Sequence, residues 1–216
     1  MIKPFGQNGV MGKRRRERES DQVFVSYFDT ALGVAGIGYT ERAIVAVQLP
    51  ESTAEATRRR FDRRLTDAIE IKLTDSADPD GANDTDGERF TVGSDAVARI
   101  QALLAGEDVD LDPVPVDVAG SSDFNQQVYS VVRMIGRGET LTYGEVARRV
   151  GEPGGAQAVG RAMGANPIPV IIPCHRVVGA KGELVGFSAN GGVETKRRML
   201  LAEECPAVPP TLFDQL

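Results

Sequence analysis

A short apolar run set among prolines constrains the fold of this chain more than any other feature. Three prolines between residues 167 and 173 surround the apolar residues 170–172, and the run leads into Cys174 and His175, the only histidine of the 216 residues. Proline breaks a helix interior because it removes a backbone donor and clashes with the preceding turn. We therefore predict a short buried strand or extended segment that holds Cys174 in a fixed place.

Cys174 has two interpretations. A free cysteine usually packs as a small buried hydrophobic residue. A neighbouring histidine, however, can take the thiol proton and so activate the sulfur as a nucleophile. Adjacent residues of an extended segment point in opposite directions, so we expect His175 to reach Cys174 through a turn or a bridging water.

Composition excludes several classes of protein. The chain has no apolar run of membrane-spanning length and no secretory signal, so we expect a cytoplasmic protein with no membrane contact. Its two cysteines, Cys174 and Cys205, are then expected to be reduced. One histidine and two cysteines cannot supply a typical four-ligand zinc site, and we expect no metal and no cofactor.

The net charge of −6 argues against indiscriminate nucleic-acid binding. Its distribution is uneven: residues 1–116 hold 15 basic and 21 acidic side chains, whereas residues 117–216 hold 10 of each. The second half can therefore meet a polyanion locally.

The pattern along the chain predicts a charged, disordered tail and two domains. The tail is residues 1–20, residues 21–116 form an N-terminal α/β supporting domain, and residues 117–210 form a C-terminal domain. The predicted N-terminal elements are three strands of an antiparallel meander (23–28, 33–39 and 43–49), helices over 52–71 and 96–104, an exposed loop over 74–89 and a linker over 108–118.

The C-terminal half has the outline of a helix-turn-helix. Ser121-Ser122-Asp123 is a good cap for a first core helix, and Thr142 with Glu145 forms a capping box that opens a second helix. Residues 153–155, Pro-Gly-Gly, break that helix before another over 156–165. Such a pair can place its second helix in a DNA groove, but any two packed helices give the same outline.

The last predicted helix, residues 193–204, carries a carboxylate on its core-facing side. Glu203 shares one helical face with Val193, Lys196, Met199 and Leu200. A buried carboxylate needs a partner, and His175 is the natural candidate.

Pro-Cys-His-Arg-Val at 173–177, preceded by Asn-Pro-x-Pro at 166–169, resembles the acceptor motif of the O6-alkylguanine-DNA alkyltransferases. The resemblance covers about residues 124–204. It implies an α+β fold with a helical, winged-helix-like C-terminal DNA-binding domain. The implied activity is repair of O6-alkylguanine, and of O4-alkylthymine, in double-stranded DNA by a monomer without a cofactor. Because a thioether is not hydrolysed as an acyl-enzyme is, each molecule is expected to act once.

The resemblance also implies roles for individual residues. Cys174 corresponds to the alkyl acceptor, His175 to its water-linked base and Glu203 to the glutamate that orients the histidine. Tyr143 corresponds to the tyrosine that helps to rotate the nucleotide and protonates the departing guanine oxygen.

The DNA-contacting set implied by the resemblance is Tyr143, Asn166 and Arg176, where Asn166 also braces the turn before the active-site segment. The sequence departs from the family pattern at Gln157, which stands where the family has an arginine finger that fills the space of the extruded base. Arg161, one turn later on the same face, is expected to take over part of this task.

The implied substrate pocket contains Val177 and the loop 185–192, with Phe187, Ser188 and Asn190 as candidates. This loop is about two residues longer than the usual family version. The sequence therefore leaves open whether Ser188 or Asn190 contacts the base.

Two alternatives remain at this point. Gln157 would suit a lesion sensor that flips alkylguanine without efficient repair, although such relatives typically lack the acceptor cysteine. A cysteine with a histidine and a carboxylate would also suit a cysteine hydrolase, which would turn over repeatedly and would not need a helix-turn-helix.

Overall fold

A computed structural model describes residues 22–73 and 90–208 of the chain. The fold is α+β, as predicted, with a four-stranded sheet in the N-terminal half and mainly helices in the C-terminal half. The predicted tail over 1–20 and the predicted loop over 74–89 lie outside the described residues. No helix within these two described ranges is long and apolar enough to span a bilayer.

The sheet contains the predicted meander. Strands β1 (Phe24–Thr30), β2 (Gly33–Tyr39) and β3 (Ile44–Gln48) pair antiparallel, with Phe24 opposite Tyr39 and Ile37 opposite Val47. A two-residue strand β4 (Ile69–Glu70) joins β1 in parallel, which gives the order β3-β2-β1-β4.

The helix predicted over 52–71 is shorter than expected. Helix α1 spans Ala54–Asp62, capped by Thr53, and the chain then turns into β4. Phe61 is fully buried, but Ile69 is 49% exposed and donates its backbone N–H to Val23 O of the strand edge. Thr66 and Asp67 are weak helix formers, so backbone pairing with the open edge of β1 is more favourable here than continuing the helix.

The second N-terminal helix, α2, spans Thr91–Leu104 and so begins five residues before the predicted start at 96. It packs on β1 and β2. The predicted linker is also ordered against the sheet, because Ile44 donates to Pro115 O and Asp117 donates to Ile44 O.

The C-terminal helices begin where their capping residues predict. Ser122 accepts from the Asn125 N–H at the start of α3 (Asp123–Arg133). Thr142 and Glu145 form both halves of the capping box that opens α4 (Tyr143–Arg149). Helix α5 spans Ala156–Gly164 and is tied to α3 by the Tyr129 hydroxyl, which donates to Ala162 O.

The segment around Cys174 is a buried turn, not the predicted strand or extended run. Val170 has a φ of 76°, Ile172 donates to Ile168 O, and Cys174–Arg176 form one 3-10 turn. Cys174 also donates its N–H to Ile172 O, so backbone groups of this segment are satisfied locally. Beyond it, β6 (Val177–Val178) pairs in parallel with β5 (Leu141–Thr142).

The last helix, α6, spans Val193–Ala202, and Glu203 is its C-cap residue, one position beyond the helix. A single large apolar cluster joins the two halves, with Tyr39 from the sheet, Val128 from α3 and Met199 from α6 among its fully buried members. The sheet and the helical half therefore support the Cys174 turn together.

Candidate active site

The Cys174 turn is fixed by a side-chain brace at its entry. Asn166 accepts the Ile168 N–H at 3.0 Å and donates to Ile172 O at 2.9 Å. Val47 of β3 also donates its N–H to Pro167 O at 2.9 Å. The amide of Asn166 is thus used within the turn, so its predicted bracing role fits the geometry and its predicted contact with DNA does not.

His175 lies at the centre of a buried charged cluster. Its Nε2 lies 2.8 Å from Glu203 Oε1, and both side chains are almost fully buried. Arg176 donates from Nε to Glu203 Oε2 and from Nη2 to Oε1, each at 2.9 Å. The predicted contact between His175 and Glu203 is present.

Arg176 was predicted to contact DNA, and this prediction is wrong. Its side chain is buried, and besides Glu203 it binds the carbonyl oxygen of Ile135 at the end of α3. A buried arginine must be paired to offset the cost of losing water, and Glu203 supplies that partner.

The protonation state of Glu203 sets the tautomer of His175. Burial by itself would raise the pKa of Glu203, but the charges and hydrogen bonds of His175 and Arg176 lower it to about 2. An ionised carboxylate only accepts hydrogen bonds, so His175 Nε2 carries the proton. In the neutral imidazole, Nδ1 is then the basic nitrogen, and it is buried without a protein partner among the residues described.

Cys174 is a buried thiol. Its side chain is 8% exposed, and burial raises its pKa; the Asn166 side chain, the Lys196 charge and the nearby backbone N–H groups oppose that rise. A raised pKa keeps the sulfur protonated at rest, and reaction then needs a base to remove the proton. His175 Nδ1 can do this directly or through one water.

Lys196 was noted in the sequence only as a member of a core-facing stripe, and the structure gives it a specific position. It is fully buried, and its Nζ donates to Val177 O and Val185 O. Burial lowers the pKa of Lys196 to about 8, against the opposing effect of Cys174. Lys196 thereby ties the start of the 185–192 loop to the end of the Cys174 turn.

Tyr143, the first residue of α4, leans over the same loop. Its hydroxyl donates weakly to Val185 O at 3.3 Å, and burial, followed by the Cys174 charge, raises its pKa. Its hydroxyl therefore remains protonated at neutral pH. Gly186 has a φ of 61°, and a Cβ there would lie 3.2 Å from Tyr143 Oη, so this close approach requires glycine.

Cys174 opens into a cavity of about 270 Å³. Phe187 and Ser188 line it, whereas Asn190 and Val177 do not. The Asn190 carbonyl instead accepts from Thr195 Oγ1, and the Val177 side chain is fully buried in the core. The structure thus favours Ser188 over Asn190 and corrects the placement of Val177 in the pocket.

The cavity also contains residues that the sequence did not suggest. Gln48, Arg60 and Arg64 line its N-terminal side, and Met163 and Pro169 line the side nearer α5. The three N-terminal residues are more than 100 positions from Cys174 in the sequence, and no local pattern could have connected them.

A second, open groove lies beside α4 and α5. Gln157 and Arg161 line it with Tyr143, and both are exposed. Arg148, an exposed cation that sequence analysis did not single out, lies on the same groove. Arg148 lies in the last turn of α4, just before the Pro-Gly-Gly run at 153–155. This position in the sequence could have indicated that it lies near the second helix of the pair.

The Cys174 thiol opens into a cavity, and the next residue, His175, is paired with Glu203. A groove beside the helix pair α4 and α5 lies next to this site. These features define a protein that brings a cysteine nucleophile to a bound partner. Comparisons with known proteins identify the class further. Residues 123–205 match the family model described as 6-O-methylguanine DNA methyltransferase, DNA binding domain.

Proteins named methylated-DNA–protein-cysteine methyltransferase are similar over a longer stretch. The chain is 47% identical to that of Mycobacterium tuberculosis over 122 residues, which is 56% of this chain and 72% of the relative. It is 41% identical to that of Mycolicibacterium paratuberculosis over 147 residues, 67% of this chain and 85% of the relative.

A comparison of the fold with solved structures agrees with the sequence similarity. The crystal structure of Mycobacterium tuberculosis OGT in complex with DNA matches with a TM-score of 0.63 and 30% identity, covering 86% of this chain and 95% of that one. The chain therefore belongs to the methylated-DNA–protein-cysteine methyltransferase family.

Proposed function

We propose that this protein repairs O6-alkylguanine in double-stranded DNA by transferring the alkyl group, once per molecule, to Cys174. The observation that carries the proposal is the cavity into which Cys174 opens, together with the pairing of the next residue, His175, with Glu203. The family relatives named for methyl transfer from DNA to a protein cysteine support the same chemistry.

We propose roles within this reaction that the geometry supports. His175 takes the Cys174 proton at Nδ1, and Glu203 stabilises the imidazolium that forms through its bond to Nε2. The sulfur attacks the alkyl carbon as the bond from that carbon to O6 breaks, and Tyr143 protonates the departing guanine. The product is a thioether and an intact guanine.

The target base must leave the helix for this to happen, because a stacked guanine cannot reach a thiol fixed in a cavity. We propose that the groove beside α5 holds the DNA, with Gln157 filling the space of the extruded base and Arg161 and Arg148 contacting phosphates. Ser188 and Phe187 then contact the base within the cavity.

Other parts of the assignment remain predictions. These are action as a monomer, a cytoplasmic location, repair of O4-alkylthymine and the division into domains at 21–116 and 117–210. The lesion sensor is not favoured, because relatives at 41–47% identity are named methyltransferases and Cys174 is present.

The test is intact-protein mass spectrometry after incubation with excess duplex that contains one O6-methylguanine. We expect one added methyl group, located on Cys174, and a plateau at one per protein. Cys174→Ala should remain unmodified, whereas Cys205→Ala, which changes the other buried thiol, should still gain one methyl.

An unmodified wild-type mass despite tight lesion binding would replace the repair assignment with the sensor. Methyl transfer in Cys174→Ala would overturn the choice of acceptor.

A further inference from the structure

The cavity that holds the acceptor thiol has a cationic wall supplied by the N-terminal half. Arg60 and Arg64, from α1 and the turn after it, line the same cavity as Cys174, Phe187 and Ser188. An uncharged methyl group forms no ion pair with a guanidinium. These side chains can therefore affect which alkyl groups the cavity binds.

The two arginines differ in their partners. Arg60 pairs with Glu51 Oε1 at 2.7 Å, and Gln48 Nε2 contacts the same oxygen at 3.4 Å. Arg64 contacts three neutral oxygens, Val47 O, Pro167 O and Gln48 Oε1, at 3.3 to 3.4 Å. These contacts are longer than good charge-assisted hydrogen bonds, so donors of Arg64 remain available.

Within residues 22–73 and 90–208, no carboxylate lies within ion-pair distance of Arg64. Arg64 is exposed to solvent over part of its side chain, and burial of the rest, followed by the charge of Arg60, lowers its pKa. An anion placed beside Arg64 would favour its charged form and so oppose this lowering. Among the described residues, Arg60 thus has a counter-charge in Glu51 and Arg64 has none.

We propose that Arg64 selects O6-alkyl groups that end in a carboxylate, of which O6-carboxymethylguanine is the smallest. The proposal rests on the proposed alkyl transfer to Cys174 and adds a substrate class to it. The guanidinium pairs with the carboxylate while the adjoining methylene carbon faces the sulfur.

The chemistry of the transfer is unchanged by the larger group. The sulfur of Cys174 bonds to the methylene carbon as the carbon–O6 bond breaks, and the electron pair of that bond stays on O6. The thiol proton passes to His175, and guanine regains a proton from Tyr143, which is restored in turn by proton transfer from solvent. The products are S-carboxymethylcysteine and guanine, and no oxidant or reductant is needed.

A DNA phosphate is the competing partner for Arg64. The proposed DNA contacts, Gln157, Arg161 and Arg148, line the groove beside α4 and α5, and Arg64 does not line that groove. Arg64 instead shares the cavity with Cys174. We therefore assign it to the alkyl group.

The test uses two duplexes that differ only at the end of the adduct, O6-carboxymethylguanine and its neutral counterpart O6-carboxamidomethylguanine. Single-turnover rates are measured by mass spectrometry for the wild type, Arg64→Met and Arg64→Lys. Arg63→Gln, an exposed neighbour that does not line the cavity, is the matched control.

The informative quantity is the rate ratio of carboxymethyl to carboxamidomethyl transfer. We expect Arg64→Met to lower this ratio about tenfold, Arg64→Lys to retain part of it, and Arg63→Gln to match the wild type. If Arg64→Met left this ratio unchanged, the proposal would be overturned. This holds also if both rates fell by the same factor, because Arg64 would then contact a phosphate or position the turn.

These outcomes are separable from failure of the repair assignment. If the wild type transferred neither group nor a methyl group, the proposed function itself would fail. If it transferred methyl groups while the ratio ignored Arg64, only the selectivity would be lost.

Discussion

The Cys174 turn and the groove beside α5 lie close together but are built in opposite ways. Asn166, Lys196, Glu203 and Arg176 hold the turn through buried bonds within the protein. On the groove, Gln157 and Arg161 are exposed, and their side chains form no hydrogen bond or ion pair with the described residues. If the proposed function holds, the chemical site is organised before DNA arrives, whereas the groove is completed only by DNA.

This difference has a consequence for substitutions. Changes in the turn should affect stability or the rate of transfer from any substrate, because they disturb groups that are already bonded. Changes on the groove should leave the folded protein intact and affect only the use of DNA. The following predictions test that division.

The largest effect is expected for Glu203→Gln. The substitution leaves the buried Arg176 without its counter-charge, and we expect a loss of about 3 kcal/mol in the free energy of unfolding, measured with urea. Glu204→Gln, an exposed neighbour, should change it by less than about 0.5 kcal/mol. Equal losses in the two variants would contradict the buried ion cluster.

The cost of Glu203→Gln should depend on pH. Because the folded-state pKa of Glu203 is lowered from 4.5 to about 2, its ionised form contributes stability that is fully present above the unfolded value. The stability difference between the wild type and Glu203→Gln should therefore be full above pH 4.5 and shrink as pH falls toward about 2. A difference that grew on acidification would contradict the lowered pKa.

His175→Asn should come next. It removes the base that accepts the thiol proton, and we expect the single-turnover rate on an O6-methylguanine duplex to fall about a hundredfold at neutral pH. Raising the pH should recover part of the rate, because the thiol then loses its proton without help. A rate near that of the wild type at neutral pH would remove His175 from the mechanism.

A gain is expected for Gln157→Arg on the groove. A longer cationic side chain should hold the extruded state better, and we expect about a tenfold faster transfer from duplex DNA. Gln127→Arg, an exposed position on α3 that does not line the groove, adds the same charge and should not give this gain. An equal gain in both variants would indicate general electrostatic attraction.

The smallest effect is expected for Arg161→Gln. Loss of one phosphate contact should weaken DNA binding about threefold at low salt and reduce the slope of log affinity against log salt by about one. Arg149→Gln, an exposed residue of α4 that does not line the groove, is the matched control. A salt slope unchanged by Arg161→Gln would place this residue away from the phosphates.

Local patterns in the sequence predicted much of the fold and the centre of the site. The Thr142-Glu145 capping box, the three strands of the meander and the partnership of Glu203 with His175 are all present. Each depends on spacing within one element or on the rule that a buried carboxylate needs a partner.

The features that the sequence missed depend on long-range packing. The family resemblance placed Arg176 in contact with DNA, yet Glu203 makes its burial possible. Val170 has a positive φ, which is not expected for a β-branched residue. Ile69 was predicted in a helix but pairs with strand β1 at the edge of the sheet. Arg64 enters the cavity only because the sheet docks on the Cys174 turn.

The most direct test of the account compares transfer to Cys174 from duplex DNA with transfer from a free O6-alkylguanine base, which needs no groove. Single-turnover rates on both substrates are measured for the wild type, His175→Asn and Arg161→Gln. The account predicts that His175→Asn slows both reactions by the same factor and that Arg161→Gln slows only the duplex reaction. If Arg161→Gln slowed the free base as much as the duplex, the division between a finished chemical site and a DNA-dependent face would be wrong.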